Sequence, residues 1–164
     1  MVQKRITINA ERIMPNRALV RLGYNETIQH LETAFGNRLK TAVLFGSRAR
    51  GKTARHKDHD IFLVIEDLPT DPLKRQQEIR QVIWELPIRI NTIAKTPGEV
   101  NSNLTPLLLE ICVDGICLYG SDYFEPYRKR AMSALNQSGL KRIRVGQEWR
   151  WQFEKIPTKE WEMT

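Results

Sequence analysis

Between residues 44 and 65 a Gly-Ser pair and an Asp-x-Asp pair stand at a spacing suited to phosphate chemistry. The first segment reads Leu44-Phe45-Gly46-Ser47-Arg48-Ala49-Arg50-Gly51. The second reads Asp58-His59-Asp60-Ile61-Phe62-Leu63-Val64-Ile65, and ten residues separate Ser47 from Asp58. A Gly-Ser turn lets a phosphate come close to the backbone, because glycine has no side chain in the way. Two aspartates two positions apart on a strand point to the same face of a sheet. Such a pair can share a divalent cation, and the cation can bind a nucleotide's phosphates. Aspartates also open strands as plain turn residues. Two carboxylates on one face of an interior strand, however, are costly without a cation.

The elements that must position these residues can be read from periodicity. Residues 39–45 form an apolar run that reads as a first core strand, and 60–65 as a second. In the second, Phe62 and Val64 face one side and Ile61, Leu63 and Ile65 the other, the pattern of an interior strand covered on both faces. Asp58 and Asp60 then sit at its N-terminal mouth. Upstream, Pro15 would end any short helix over 10–14. Asn25 reads as an N-cap with Glu26 in the first turn. Ile28, Leu31, Ala34 and Phe35 share the inner face of that helix, and Gly36 stops it. Asp71-Pro72 starts another helix, with Ile79, Val82, Ile83 and Leu86 inward and Pro87 closing it. Residues 88–94 read as a third strand ended by Thr96-Pro97-Gly98. A leucine-rich helix over about 104–113, a turn at Asp114-Gly115 and a short extended piece over 116–119 follow. Asp122 and Glu125 resemble a capping box for a helix burying Phe124, Tyr127, Ala131 and Leu135 and ended by Gly139. The alternating tail, 143–153 with a turn at Gly146, reads as a hairpin. The sum is one α/β (α+β) domain over 1–164, with a small mixed central sheet flanked by helices. Its core spans about 26–120, and a helix-and-hairpin extension spans about 121–164.

The composition is that of an ordinary globular chain, 41% hydrophobic and 27% charged over 164 residues. No apolar run is long enough to cross a bilayer, and the charged start of the chain is not followed by the apolar block of a signal peptide. Cytoplasm is the expected location. The net charge of +7 favours a polyanionic partner such as a nucleotide, RNA or an acidic protein. The basic residues cluster. Arg48, Arg50, Lys52, Arg55 and Lys57 flank the Gly-Ser turn, and a second group runs from Arg128 to Arg150, where a solvated face is the simpler reading. Cys112 and Cys117 read as small buried hydrophobes in a reducing compartment. His30, His56 and His59 make no metal set, although His56 and His59 bracket Asp58. Trp149 and Trp151 alternate with Arg150, a pattern that binds single-stranded nucleic acid but more often packs a hairpin on a core.

The two opening motifs, at this spacing and between apolar strands, resemble the nucleotidyltransferase superfamily that includes DNA polymerase beta. Within it they resemble the small single-domain members called minimal nucleotidyltransferases. The resemblance extends through Lys95-Thr96-Pro97 and Asp114-Gly115-Ile116-Cys117-Leu118-Tyr119-Gly120, about residues 26–125. It implies that Gly46 and Ser47 contact a triphosphate and that Asp58 and Asp60 hold Mg²⁺. Arg48, Arg50 and Lys57 are candidates for further phosphate contacts. Active members carry a third carboxylate on the following strand, and the alignment puts Asn91 there. Asparagine offers a carbonyl oxygen but cannot accept a proton as a carboxylate does. The implied activity is Mg²⁺-dependent transfer of a nucleoside monophosphate, AMP from ATP, to a hydroxyl acceptor. A chain this short leaves little room for an acceptor domain, which points to an acceptor on a partner protein. Stand-alone members of this group are frequently antitoxins paired with a HEPN ribonuclease toxin. Two alternatives of other classes stand beside it: a nucleotide-binding module without turnover that neutralises a partner by binding, and a basic RNA-binding protein.

Overall fold

The structure, a computed structural model, describes residues 17–52 and 58–154. Four strands form the central sheet in the order β3-β2-β1-β4. They are β1 (Leu39–Phe45), β2 (His59–Ile65), β3 (Ile90–Lys95) and β4 (Ile116–Tyr119). β1 runs antiparallel to both β2 and β4, whereas β2 and β3 are parallel, so the sheet is mixed as expected. The parallel pair needs a crossover, and α4 (Pro72–Ile83) supplies it.

The two central strands are apolar on both faces because helices cover both. Ile61, Leu63 and Ile65 join Ala42 and Leu44 in one core, with Leu31 and Phe35 of α2 (Asn25–Phe35) and Ile79 of α4. Phe62 and Val64 join Val43 and Phe45 in the other. That second core is closed by Val100 of α5 (Pro97–Ser102), Leu108 and Ile111 of α6 (Pro106–Asp114), and Phe124 and Tyr127 of α7 (Ser121–Ser138). A short α1 (Arg17–Leu22) precedes α2, and a single-turn α3 (Gly46–Ala49) follows β1. The hairpin of β5 (Leu140–Val145) and β6 (Glu148–Phe153) is a separate two-stranded sheet beyond α7. Among the described residues no helix is long and apolar enough to cross a membrane.

Several local expectations are corrected. Asn25 is not the cap of α2. The Ile28 N–H bonds the Tyr24 carbonyl at 2.9 Å, which makes Tyr24 the cap residue. Tyr24 is buried, and tertiary burial outweighs the cap preference of its neighbour. Ala34 is exposed, and Thr27 takes the fourth inner position. The Asp122–Glu125 capping box does not form. Gly120 caps α7 in a left-handed conformation, its carbonyl accepting from Tyr123 and Phe124, and Glu125 turns to Arg128 instead. A capping box does form at Thr96 and Glu99, where only a strand end was read, and it opens α5. α4 stops at Ile83, before Pro87, and leaves Trp84 exposed. β3 begins two residues later than read, at Ile90. The reading that Pro15 ends a helix lies outside the described residues.

The second basic group is not one solvated face. The Arg128 and Arg142 side chains are 15% and 6% exposed, and both are paired. The short bond from Arg128 Nη2 to the Gly115 carbonyl and the Arg142 bond to Asp114 fasten α7 and the hairpin to the turn after α6.

Candidate functional site

The site lies at one end of the sheet, where β1 ends and β2 and β3 begin. Register places Phe45 opposite Asp60 and Asp60 opposite Asn91, so the three residues stand in one row across the sheet. Directly opposed residues on neighbouring strands point to the same face. Asp60 therefore shares its face with Phe62 and Val64 and is met there by Asn91, whose Nδ2 donates to Asp60 Oδ1 at 3.1 Å. Gly46 follows Phe45 with φ +73, a backbone region that glycine enters without penalty. A Cβ added at Gly46 would stand 2.5 Å from Asp60 Oδ2. The carboxylate and the turn are thus as close as two chains can come, and only glycine fits between them.

Ser47 follows in α3. The turn is tightened by bonds from Arg50 N–H to the Gly46 carbonyl at 3.3 Å and from Lys52 N–H to the Ser47 carbonyl at 3.0 Å. Asp58 stands just before β2 and pairs with Arg89 Nε at 3.1 Å. Their side chains are 43% and 85% exposed, so water screens the pair. An exposed pair of this kind is worth at most about 1 kcal/mol, and a doubly charged cation would readily displace Arg89.

His59, between the two aspartates, faces the opposite core. Tyr24 Oη and His59 Nδ1 share a hydrogen bond of 2.6 Å, with the rings edge-on and their centres 5.4 Å apart. Burial, and then the charge of Arg48, hold the imidazole below its usual pKa against the pull of Asp58 and Asp60. Burial raises the Tyr24 phenol, with the Arg48 charge opposing. Arg48 thus acts electrostatically on the Tyr24–His59 pair. Arg50 reaches Asp114 at the end of α6, 3.5 Å away. Lys57 and His56 lie outside the described residues.

The donor chemistry suits a magnesium ion. Asp58 and Asp60 offer hard carboxylate oxygens, and magnesium sites typically use one or two carboxylates and complete their shell with water and substrate phosphates. Among the described residues no group of three His, Cys, Asp or Glu side chains could hold a metal by itself, so a nucleotide's oxygens would have to complete the set. No carboxylate replaces Asn91 on β3. Glu99 is held by two 2.9 Å bonds from Arg75, and Glu85 is exposed beside His30 at 3.9 Å. The structure brings Gly46, Ser47, Asp58, Asp60 and Asn91 to one end of the sheet. Tyr24 and Arg89, which also shape this end, were not singled out from the sequence, and Asp114 was read there as a turn residue and part of the family resemblance, not as a site residue. Each acts through a partner 31 or more residues away (Tyr24 through His59, Arg89 through Asp58, Asp114 through Arg50), and no local pattern marks such pairs.

Comparison with known proteins agrees with this fold. A family described as "Polymerase beta, Nucleotidyltransferase" matches residues 26–123. A protein of Methanocaldococcus jannaschii named "Putative protein adenylyltransferase MJ1305" is 26% identical over 138 residues, covering 80% of this chain and 92% of that protein. Among solved structures, a toxin–antitoxin complex with AMP-PNP matches with a TM-score of 0.53 at 22% identity, over 69% of this chain and 86% of that one. A tri-AMPylated HEPN toxin in complex with an MNT antitoxin, from Shewanella oneidensis, matches with a TM-score of 0.50 at 20% identity, over 71% and 87%. At these identities the two structures speak for the fold.

Proposed function

Because the chain belongs to the polymerase beta nucleotidyltransferase family, we propose that it moves AMP from ATP to a hydroxyl on a partner protein, and that it acts as the antitoxin of a HEPN-type toxin. The name of the Methanocaldococcus jannaschii relative supports a protein acceptor and an adenylyl donor. The toxin–antitoxin complexes that share the fold support the partner. The observation that carries the reading is the juxtaposition of Gly46 with Asp60, a carboxylate set against a turn with no room for a side chain.

In this reading the acceptor hydroxyl oxygen bonds to the α-phosphorus and gives its proton to water, as the bond from the α-phosphorus to the bridging oxygen breaks and pyrophosphate leaves with that oxygen. Asp58 and Asp60 would hold magnesium, which would neutralise the triphosphate and stabilise the departing charge. Gly46 admits the phosphates to the backbone, and Ser47, Arg48, Arg50 and Lys57 supply further contacts. Asn91 holds Asp60 in orientation but takes no proton. Rate enhancement at this site therefore rests on positioning and charge rather than on general-base help from position 91.

The Asn91–Asp60 hydrogen bond also favours a second reading, a binding module that keeps the nucleotide pocket and neutralises its partner by occlusion. Incubation with Mg²⁺, α-labelled ATP and the partner separates the two. Label transfer that disappears in Asp58→Ala and Asp60→Ala is the expected result. Stoichiometric inhibition of the partner that survives both substitutions, with no transfer, selects the module. Absence of both transfer and Mg·ATP binding refutes both.

A further inference from the structure

Arg50 ends the turn that carries Gly46 and Ser47, and its guanidinium shares its anionic partner with another arginine. Arg50 Nη1 lies 3.5 Å from Asp114 Oδ2. The same oxygen accepts a 2.7 Å hydrogen bond from Arg142 Nη2 in β5. Asp114 is 12% exposed and Arg142 6%, so this second pair is almost out of water. The Arg142 guanidinium also lies over the Trp149 ring, 4.6 Å from its centre. Two cations therefore divide one carboxylate unequally. Arg142 makes a short charge-assisted bond, whereas Arg50 stands at the outer edge of an ion pair. Asp114 is the last residue of α6, where the helix dipole disfavours a negative charge, so the carboxylate depends on its cations.

We propose that Arg142 is a positioning residue for the nucleotide site: by neutralising Asp114 it leaves the charge of Arg50 available to a triphosphate. The C-terminal hairpin, which lies beyond the matched residues 26–123, would thereby set nucleotide affinity from outside the family core. The inference rests on the nucleotide reading above. With Arg142 removed, Arg50 is the ion-pair partner left to Asp114 among the described residues, and Asp114 draws it away from the phosphates. With Asp114 neutralised, nothing draws Arg50 away.

The test is calorimetric titration of the full chain with Mg·ATP at fixed salt, with a thermal melt of each variant. Arg142→Gln weakens binding by about tenfold, near the low end of the coupling between close charge pairs. Asp114→Asn binds as tightly as the native chain or tighter. The double variant returns to within about twofold of native, and in an Arg50→Gln background the Arg142 substitution has no further effect. A purely structural anchor predicts the opposite order, with Asp114→Asn weakened and the double variant weakest. Either that order, or an Arg142→Gln protein that binds like the native one, overturns the proposal. Should Arg142→Gln fail to fold, the sign of the Asp114→Asn effect decides. A native protein that binds no Mg·ATP refutes the nucleotide reading and this inference together. A native protein that binds, with Asp114→Asn weakened, refutes this inference alone.

Discussion

Replacing Gly46 by alanine separates backbone strain from the loss of a site, because the structure contains its own control. Gly46 has φ +73 and Gly51 has φ +82, so an alanine at either must occupy the left-handed region. That conformation costs an L-residue about 1–2 kcal/mol, which in a chain of this size lowers the Tm by about 2–8 °C. The two positions differ in what the new methyl meets. At Gly51 no atom of the described residues lies within 4 Å, whereas at Gly46 the methyl stands 2.5 Å from Asp60 Oδ2. At that distance the carboxylate must shift from the position in which Asn91 now holds it. Loss of one contact to a charged group costs about 1.5–3 kcal/mol, which is about ten- to hundredfold in Kd. Both variants should therefore melt several degrees lower by scanning calorimetry. Only Gly46→Ala should lose Mg·ATP affinity on titration. Equal loss of affinity in the two variants, or an unchanged Kd in Gly46→Ala, would refute the assignment of Asp60 and the Gly46 turn to one site.

Three further outcomes follow from the same geometry. Asn91→Asp places a carboxylate where Asn91 now lies 3.1 Å from Asp60 Oδ1; like charges at that range repel, so the variant should melt lower than native in EDTA and recover with Mg²⁺, and a melt indifferent to Mg²⁺ would contradict the cation site. The bonds from Arg75 hold the Glu99 carboxyl below its usual pKa of 4.5, so its contribution to stability is present above that value and is lost as pH falls through the lower folded value. Glu99→Gln should accordingly lower stability to denaturant at pH 7, by an amount that shrinks as the pH falls below 4.5; the side chain is 40% exposed, and solvent screening keeps the difference small. Burial pushes the Cys112 thiol up to about 11, and Cys117 is raised by the same cause, so neither should react with an alkylating reagent at pH 8 until denaturant is added.

Much of this fold is written in local pattern. The alternation in 60–65 marked β2 as an interior strand, and the structure buries its two faces in two separate cores. β1 and β4 appear with the bounds read from their apolar runs. The Asp71-Pro72 start of α4 forms as read, with Asp71 accepting from Leu73 and Lys74 N–H. The hairpin forms with its turn at Gly146, and Trp149 and Trp151 are half-buried on the face that also carries Arg142. Local rules failed where burial or a distant carbonyl took over. Tyr24 displaced Asn25 at a cap, and Gly120 displaced the Asp122 box. Arg128 and Arg142 looked like part of a wet surface because sequence shows a charge but not what encloses it.

The amino-acid order by itself determined the chemistry on offer: a glycine-serine bend and two aspartates one strand later. Those are facts of residue type and short spacing, and strand periodicity reads them directly, whereas only the family resemblance marks Asn91 as standing where a third carboxylate would be. Folding decided what each group touches. That Asp60 lies against Gly46 and accepts from Asn91, and that Asp114 divides itself between Arg50 and Arg142, depends on strand register and helix docking. Register and docking are set by the simultaneous burial of two cores, a property of the whole chain that no single segment contains.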